Sequence, residues 1–75
     1  MLFNENFKNR FRELVDTLEM TKTKCANVIG ISYQTFIDIY AIGKVPYVKQ
    51  LLRIADYFDV SLDYLLGRTD KRERT

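Results

Sequence analysis

The 75-residue sequence predicts an all-α domain of five short helices. Three observations support this: apolar side chains recur at helical spacing along most of the chain, hydroxyl residues stand where helices begin, and glycines stand where they end. A chain of this length accommodates one domain. On folding, such a chain buries only about 60–65% of the surface that it exposes when unfolded, so its core is small. We expect that domain over residues 1–67, followed by a charged tail over residues 68–75.

The first helix is predicted from about Asn6 to Glu19. Its apolar residues recur every three or four positions, so they share one face, and charged residues lie between them toward water. No polar cluster surrounds Phe7 or Phe11, and we expect both in the core. The apolar face consists of Phe7, Phe11, Leu14, Val15 and Leu18.

Two further helices joined by a tight turn are predicted over residues 22–41. Thr21 and Ser32 can cap them, because a hydroxyl oxygen accepts an N–H group of the first helical turn. Gly30 ends the first of the two, since glycine adopts a positive φ without steric strain. So short a turn makes the helices cross steeply, and Ala26 is the small residue where they meet. Their apolar faces consist of Cys25, Ala26 and Ile29, and of Phe36, Ile39 and Tyr40.

The second helix of this pair keeps a face that points away from the core, and such a helix can enter the major groove of DNA. On this face Gln34 is the standard base reader, since its amide can form a bidentate pair with adenine. Tyr33 and Ile37 can touch thymine methyl groups, and Asp38 can accept from cytosine N4. Ala41 completes the face, which carries no arginine or lysine.

The remaining helices are predicted from caps and apolar spacing. The third helix ends at Ala41 or Ile42, with Gly43 as its cap. The fourth runs from Val48 to Phe58. Its inner stripe is Val48, Leu51, Leu52, Ala55 and Phe58. The fifth helix runs from Leu62 to Leu66 between the cap Ser61 and Gly67, with Tyr64 at its edge. From Arg68 onward the sequence has no apolar residue, so we expect this tail to fray.

Residues 22–41 resemble the helix-turn-helix of Cro and phage repressors, also called XRE-type regulators. Counted from Lys22, that motif has Ala at the fifth place, Gly at the ninth, and apolar residues at the fourth, eighth, tenth, fifteenth and eighteenth. This chain has Ala26, Gly30, Cys25, Ile29, Ile31, Phe36 and Ile39 at those places. The segment LLRIADYFDVSLDYLLGR, residues 51–68, is similar to the usual end of the family. The resemblance covers residues 7–68 and implies a five-helix lambda-repressor-like DNA-binding domain.

The resemblance also implies a function, that of a sequence-specific, repressor-like regulator of transcription that binds double-stranded DNA. Its third helix would enter the major groove and act sterically. The expected base-contacting residues are Tyr33, Gln34, Ile37 and Asp38. The expected phosphate-contacting residues are Lys22, Lys24, Ser32, Thr35, Gly43 and Lys44, with Gly43 offering an accessible N–H.

One departure from the family lies between the first and third helices. The family often pairs an Arg in the first helix with a Glu near the end of the third, where this chain has Val15 and Tyr40. Both charges are missing together, so we expect an apolar contact to substitute for the ion pair.

A homodimer is expected, because a single helix-turn-helix domain buries too little surface for tight specific binding. Twofold symmetry would place two half-sites about one helical turn apart. The fifth helix is short and apolar, and has surface to spare. The predicted dimer contact is Tyr64, Leu65 and Leu66.

Charge and composition narrow the function classes. The formal net charge is +2, and the surplus lies in residues 20–50, which carry +3. Cys25 is the single cysteine and histidine is absent, so zinc ligands and a Cys–His dyad are missing. We therefore expect no enzyme, metal, cofactor or small-molecule substrate. No apolar run approaches the roughly 20 residues of a membrane span, and no signal peptide is evident. We expect a cytoplasmic, nucleoid-associated protein.

A second function remains open at this point. Tyr33, Ile37 and Asp38 make the outward face of the third helix more apolar and acidic than most DNA-reading faces. The alternative is a protein-interaction module that keeps the helix-turn-helix fold but binds DNA weakly or not at all.

Overall fold

The computed structural model describes residues 2–73, with side chains over residues 5–73. Within this range the chain forms five helices and no strand, which confirms the predicted all-α class and five-helix architecture. The helices are α1 (Leu2–Asp16), α2 (Lys22–Ile29), α3 (Tyr33–Ile42), α4 (Val48–Phe58) and α5 (Leu62–Leu65). None of these helices is both long enough and apolar enough to cross a membrane.

Helix α1 begins and ends earlier than predicted. The prediction placed it from Asn6 to Glu19, and it runs from Leu2 to Asp16. The hydroxyl and the N–H of Thr17 both donate to the carbonyl oxygen three residues back, at 2.6 and 3.3 Å, which tightens the last turn. Glu19 then has a φ of 53°, and a positive φ does not continue a right-handed helix.

The core is centred on three phenylalanine rings from α1 and α3. Phe7, Phe11 and Phe36 are fully buried, as predicted. The rings of Phe11 and Phe36 meet edge to face with centroids 5.3 Å apart, a favourable arrangement for aromatic pairs. Leu18 is half-buried beside them. The other buried hydrophobic residues are Leu14, Val15, Cys25, Ala26, Ile29, Ile31, Ile39, Leu51, Ile54, Ala55, Val60, Tyr64 and Leu65.

The helix-turn-helix forms as predicted. The side chains of Thr21 and Ser32 each accept the backbone N–H three residues ahead, at 3.2 and 3.1 Å. Gly30 ends α2 with a φ of 90°, and Ala26 is buried as expected. Arg53 of α4 donates to the carbonyl oxygen of Gly30 at 2.9 Å. This long-range bond ties α4 to the turn that sets the angle of α3.

Helix α4 has the predicted bounds, but its inner stripe is partly wrong. Leu51 and Ala55 are buried as predicted, whereas Val48 is 66% exposed and Leu52 is 43% exposed. Ile54, which is absent from the predicted stripe, is fully buried. Residues two apart on a helix point about 200° apart, so burial of Ile54 turns Leu52 toward water. Phe58, the last member of the predicted stripe, is half-buried.

Helix α5 ends at Leu65, one residue before the predicted end, and Ser61 is its cap as predicted. The prediction that Tyr64 lies at the edge is wrong. Tyr64 is buried, because α1 covers its ring with the guanidinium of Arg10, whose Cζ lies 4.3 Å from the ring centroid. Gly67 follows with a φ of 81°. A Cβ on this residue would lie 2.5 Å from the Cβ of Asn6, so the chain passes α1 more closely than any other residue type allows.

The segment after α5 packs against the domain, contrary to the prediction that it frays. The guanidinium of Arg10 donates to the carbonyl oxygen of Thr69 at 2.6 Å and to the carboxylate of Asp70 at 2.8 Å. The backbone N–H of Ser61 donates to the carbonyl oxygen of Arg72 at 2.9 Å. Backbone hydrogen bonds and the half-buried Arg10 hold this segment in place, although it has no apolar side chain to bury. The last two residues of the predicted tail, 74–75, lie outside the described range.

Candidate nucleic-acid interface

The outward face of α3 presents a row of side chains between the buried positions of that helix. Phe36 and Ile39 point into the core, which turns the residues between them toward the surface. Tyr33 is 50% exposed, and Gln34 is exposed beside it. Ile37 is half-buried and packs against the core. The face is therefore accessible in the first turn of α3, the part of such a helix that contacts base edges in DNA complexes, and the last turn with Ala41 is exposed as well.

Gln34 and Asp38 are joined on this face. The Nε2 of Gln34 donates to the Oδ1 of Asp38 at 2.9 Å, one helical turn away. The backbone oxygen of Asp38 also accepts the N–H of Lys44 at 3.2 Å. Asp38 is half-buried, in contrast to the exposed Gln34. The structure thus brings two predicted base-contacting residues into one hydrogen-bonded pair.

The predicted phosphate-contacting lysines are all exposed. Lys22 and Lys24 lie in the first turn of α2, and Lys44 follows the end of α3. The Nζ of Lys22 lies 5.0 Å from the centroid of the Tyr40 ring, a cation–π contact that limits its range. The ammonium groups of Lys24 and Lys44 extend into solvent, where each is available to an anion.

Ser32 and Thr35 are engaged with each other at the start of α3. The Oγ of Ser32 accepts the backbone N–H of Thr35 at 3.1 Å and donates to its Oγ1 at 2.9 Å. The only hydroxyl hydrogen of Ser32 is therefore used. The hydroxyl hydrogen of Thr35 is not used within this pair. Of the two predicted phosphate contacts, Thr35 is the one with a donor to offer.

The prediction that Gly43 offers an accessible N–H is wrong. Gly43 is buried, and its N–H donates to the carbonyl oxygen of Ile39 at 2.8 Å. Gly43 has a φ of 70°, so it forms the left-handed cap of α3. The same cap that ends the helix uses this donor. The backbone N–H of Lys44 is also used, by the carbonyl oxygen of Asp38, so only the side chain of Lys44 is available to a phosphate.

A cleft of about 300 Å³ lies between α3 and the start of α4. Among the described residues, the buried Oε1 of Gln50 on its wall has no hydrogen-bond partner, and such atoms are usually completed by water or a ligand group. Tyr47 stands at the cleft with 82% of its surface exposed. It occupies the cap position of α4 without a side-chain cap bond. The lining residues are Thr35, Asp38, Lys44, Val45, Pro46, Tyr47 and Gln50.

Sequence reasoning missed Tyr47 as part of this surface. The signal was present, because a large aromatic residue stands after Pro46 where serine, threonine, aspartate or asparagine would cap the helix. The backbone oxygen of Tyr47 accepts the N–H of Leu51, while its exposed ring makes no cap bond and is accessible to a partner beside the cleft.

Tyr40 connects α3 to α1 by more than the predicted apolar contact. Its ring is stacked on Phe36 at 5.8 Å, and its hydroxyl donates to the carboxylate of Asp16 at 3.2 Å. The Nε of Arg12 donates to the carbonyl oxygen of Tyr40 at 2.6 Å, and its guanidinium lies 4.7 Å from the ring centroid. Burial raises the pKa of Tyr40, and the bond to Asp16 adds to the rise. A charged residue of α1 therefore does bind the end of α3. That residue is Arg12, and not the residue at the position of the family's arginine, which is Val15 here.

Cys25 has the environment of a core residue. It is buried, and its Sγ lies 3.9 Å from the carbonyl oxygen of Met20. Burial raises the pKa of the thiol, the charge of Asp16 adds to the rise, and Lys22 opposes it. The thiol is therefore a poor nucleophile at neutral pH. In the described part of the chain, no group of three or more His, Cys, Asp or Glu residues is placed to hold a metal ion.

The predicted dimer contact lies mostly inside the domain. Tyr64 and Leu65 are buried in the core, and Leu66 is half-buried. The guanidinium of Arg72 lies 5.3 Å from the Tyr64 ring centroid, in addition to Arg10. Of the three residues, Leu66 alone has surface to offer a second copy, because Tyr64 and Leu65 are buried within the domain.

Among known proteins, the chain is similar to YobD of Bacillus subtilis (strain 168), whose name is uncharacterized HTH-type transcriptional regulator. The two sequences are 36% identical over 61 residues, which make up 81% of this chain and 54% of YobD. The chain therefore spans about half the length of this relative. No protein-family model matches the chain, and no solved structure matches it.

Proposed function

We propose that this chain is a sequence-specific DNA-binding regulator of transcription, of the XRE type, that acts as a repressor by occupying its site. One observation carries the proposal. A rigidly capped helix, α3, presents Gln34 on its exposed face, and exposed lysines stand at the start of α2 and after the end of α3. The similarity to YobD, a regulator by its name, supports the same class.

The lysines and the face of α3 have different tasks in this proposal. Lys24 and Lys44 neutralise phosphates, which adds affinity for any sequence and makes binding depend on salt. Gln34 pairs with the N6 and N7 of an adenine, a contact that discriminates by about 1–3 kcal/mol. Tyr33 and Ile37 contact thymine methyl groups. The exposed Tyr47 extends the surface toward the DNA backbone.

A homodimer completes the proposal. Two copies would place two α3 helices in successive major grooves, which doubles the buried surface. The burial of Tyr64 and Leu65 leaves Leu66 as the part of the expected contact that a second copy can reach. A DNA-binding regulator of this kind acts in the cytoplasm, associated with the nucleoid.

The experiment that tests the proposal compares Gln34→Ala with Lys44→Ala on a selected operator and on random DNA, at several salt concentrations. Gln34→Ala should weaken operator binding by about 1–3 kcal/mol and leave random DNA almost unchanged. Lys44→Ala should weaken both alike and lower the slope of log K against log salt by about 0.9 for each phosphate that the protein no longer neutralises. If Gln34→Ala shifts both affinities equally, α3 is not the reader.

A protein-interaction module is the second candidate, and exposed apolar side chains favour it. Ile42 is 69% exposed, and Tyr47 and Val48 are exposed in the following loop and the start of α4. Large apolar groups outside the core are typical of protein-binding surfaces when they lie together. This candidate predicts no specific band with genomic DNA fragments at low salt. Tyr47→Ser should leave such a protein folded and abolish the capture of its partner.

A further inference from the structure

The orientation of the Gln34 amide is set by Asp38. A carboxylate accepts hydrogen bonds and donates none, so the group that faces it at 2.9 Å is the NH₂ of Gln34. Asp38 is half-buried on the wall of the cleft, and its backbone oxygen accepts the N–H of Lys44, which fixes the main chain at this residue. The exposed amide is therefore bonded to a half-buried residue one turn along the same helix.

This attachment determines which hydrogen-bonding groups Gln34 can offer to a base. A glutamine amide has two N–H donors and one carbonyl acceptor. With one N–H bound to Asp38, one donor and one acceptor are left. Adenine presents an acceptor, N7, and a donor, N6–H, on its major-groove edge, which matches that pair. Guanine presents two acceptors, N7 and O6, and would need both N–H groups at once.

We propose that Asp38 is a positioning residue that makes Gln34 select adenine over guanine. The inference rests on the proposed function, because it concerns the same face of α3. In this arrangement the Oδ1 of Asp38 holds the amide, so Asp38 acts on the base through Gln34. Without Asp38, the Gln34 amide can turn and offer its N–H groups to the acceptors of guanine, so the preference for adenine over guanine becomes weaker.

The test is a selection from randomised DNA at one salt concentration, with the ratio of adenine to guanine measured at each position. The wild-type chain should select adenine at one position of each half-site, and Gln34→Ala should lose that preference alone. Asp38→Ala should keep the rest of the consensus and reduce the adenine-to-guanine ratio at that position about tenfold, the equivalent of about 1.4 kcal/mol. Asp38→Asn, whose amide keeps the side-chain shape but can face Gln34 in either sense, should give an intermediate ratio.

The adenine-to-guanine ratio distinguishes the positioning of Gln34 by Asp38 from the electrostatic effect of removing the Asp38 charge. Any loss of a negative charge near DNA raises affinity for all sequences, so affinity is not the readout. Glu13→Gln is the matched control, because it removes an exposed carboxylate from α1, outside the interface. It should leave the ratio unchanged. Circular dichroism melting confirms that each variant is folded.

Two outcomes overturn the inference in different ways. An unchanged ratio in both Asp38 variants, together with loss of adenine selection in Gln34→Ala, refutes positioning by Asp38 and leaves the proposed function standing. A wild-type chain that selects no consensus refutes the proposed function, and the inference falls with it.

Discussion

Truncation of Phe36 tests the core that supports α3. Phe36 is fully buried, and its ring meets that of Phe11 at 5.3 Å and that of Tyr40 at 5.8 Å. Phe36→Ala removes the ring from both pairs and leaves a cavity, which costs about 3–5 kcal/mol in comparable cores. Both aromatic pairs disappear together, so we expect the upper half of that range, since each pair contributes about 0.5–1.5 kcal/mol beyond its buried area.

The expected consequence depends on the total stability. At about 0.05–0.15 kcal/mol per residue, a chain of 75 residues has a free energy of unfolding of about 4–11 kcal/mol. Phe36→Ala should therefore unfold the domain or leave it with a small free energy of unfolding. A half-exposed aromatic on the same helix provides the control, and Tyr33→Ala should change stability by less than about 0.5 kcal/mol.

Urea denaturation followed by far-ultraviolet circular dichroism measures both variants. The reasoning is refuted if Phe36→Ala gives a folded protein whose free energy of unfolding differs from wild type by less than about 0.5 kcal/mol, the range of an exposed substitution. The same result for both variants would mean that Phe36 does not lie in the core.

Four further perturbations test the packing between elements. Arg10→Ala should release the segment after α5 and lower stability by about 1–3 kcal/mol, because two carbonyl oxygens would have no charged donor, and faster amide exchange at Ser61 should report the release. Asp70→Ala should cost less than about 1 kcal/mol, since that carboxylate is exposed. The raised pKa of Cys25 means that a thiol reagent should label the native protein slowly at pH about 8 and the urea-unfolded protein quickly; equal rates would contradict burial. The folded state holds the Tyr40 proton more tightly than the unfolded state, so its contribution to stability is present below the ordinary pKa of 10.0 and is lost as pH rises above it; a Tyr40→Phe variant whose stability falls as steeply in that range would show that the hydroxyl is not responsible.

The sequence determined the features that depend on neighbours along the chain. Thr21, Ser32 and Ser61 cap the helices that they were predicted to cap, because a side-chain oxygen meets an N–H only three residues away. Gly30 and Gly43 end α2 and α3 for an equally local reason, a positive φ. The Gln34–Asp38 bond also lies within one helical turn, so its spacing is present in the sequence, although the sequence alone suggests two separate readers.

The tertiary structure decided the features that depend on how helices rotate and where distant segments meet. Periodicity placed Leu52 in the apolar stripe of α4 and left Ile54 out of it, whereas packing against the other helices buries Ile54 and exposes Leu52. Arg10 bonds to residues up to 60 positions away, and no local pattern marks such a partner. The position of an arginine in a helix does not show whether its side chain is exposed or half-buried, because a long side chain can extend into water or lie against the protein. The order of the C-terminal segment and the burial of Tyr64 depend on the direction in which the Arg10 side chain extends, and tertiary packing determines that direction.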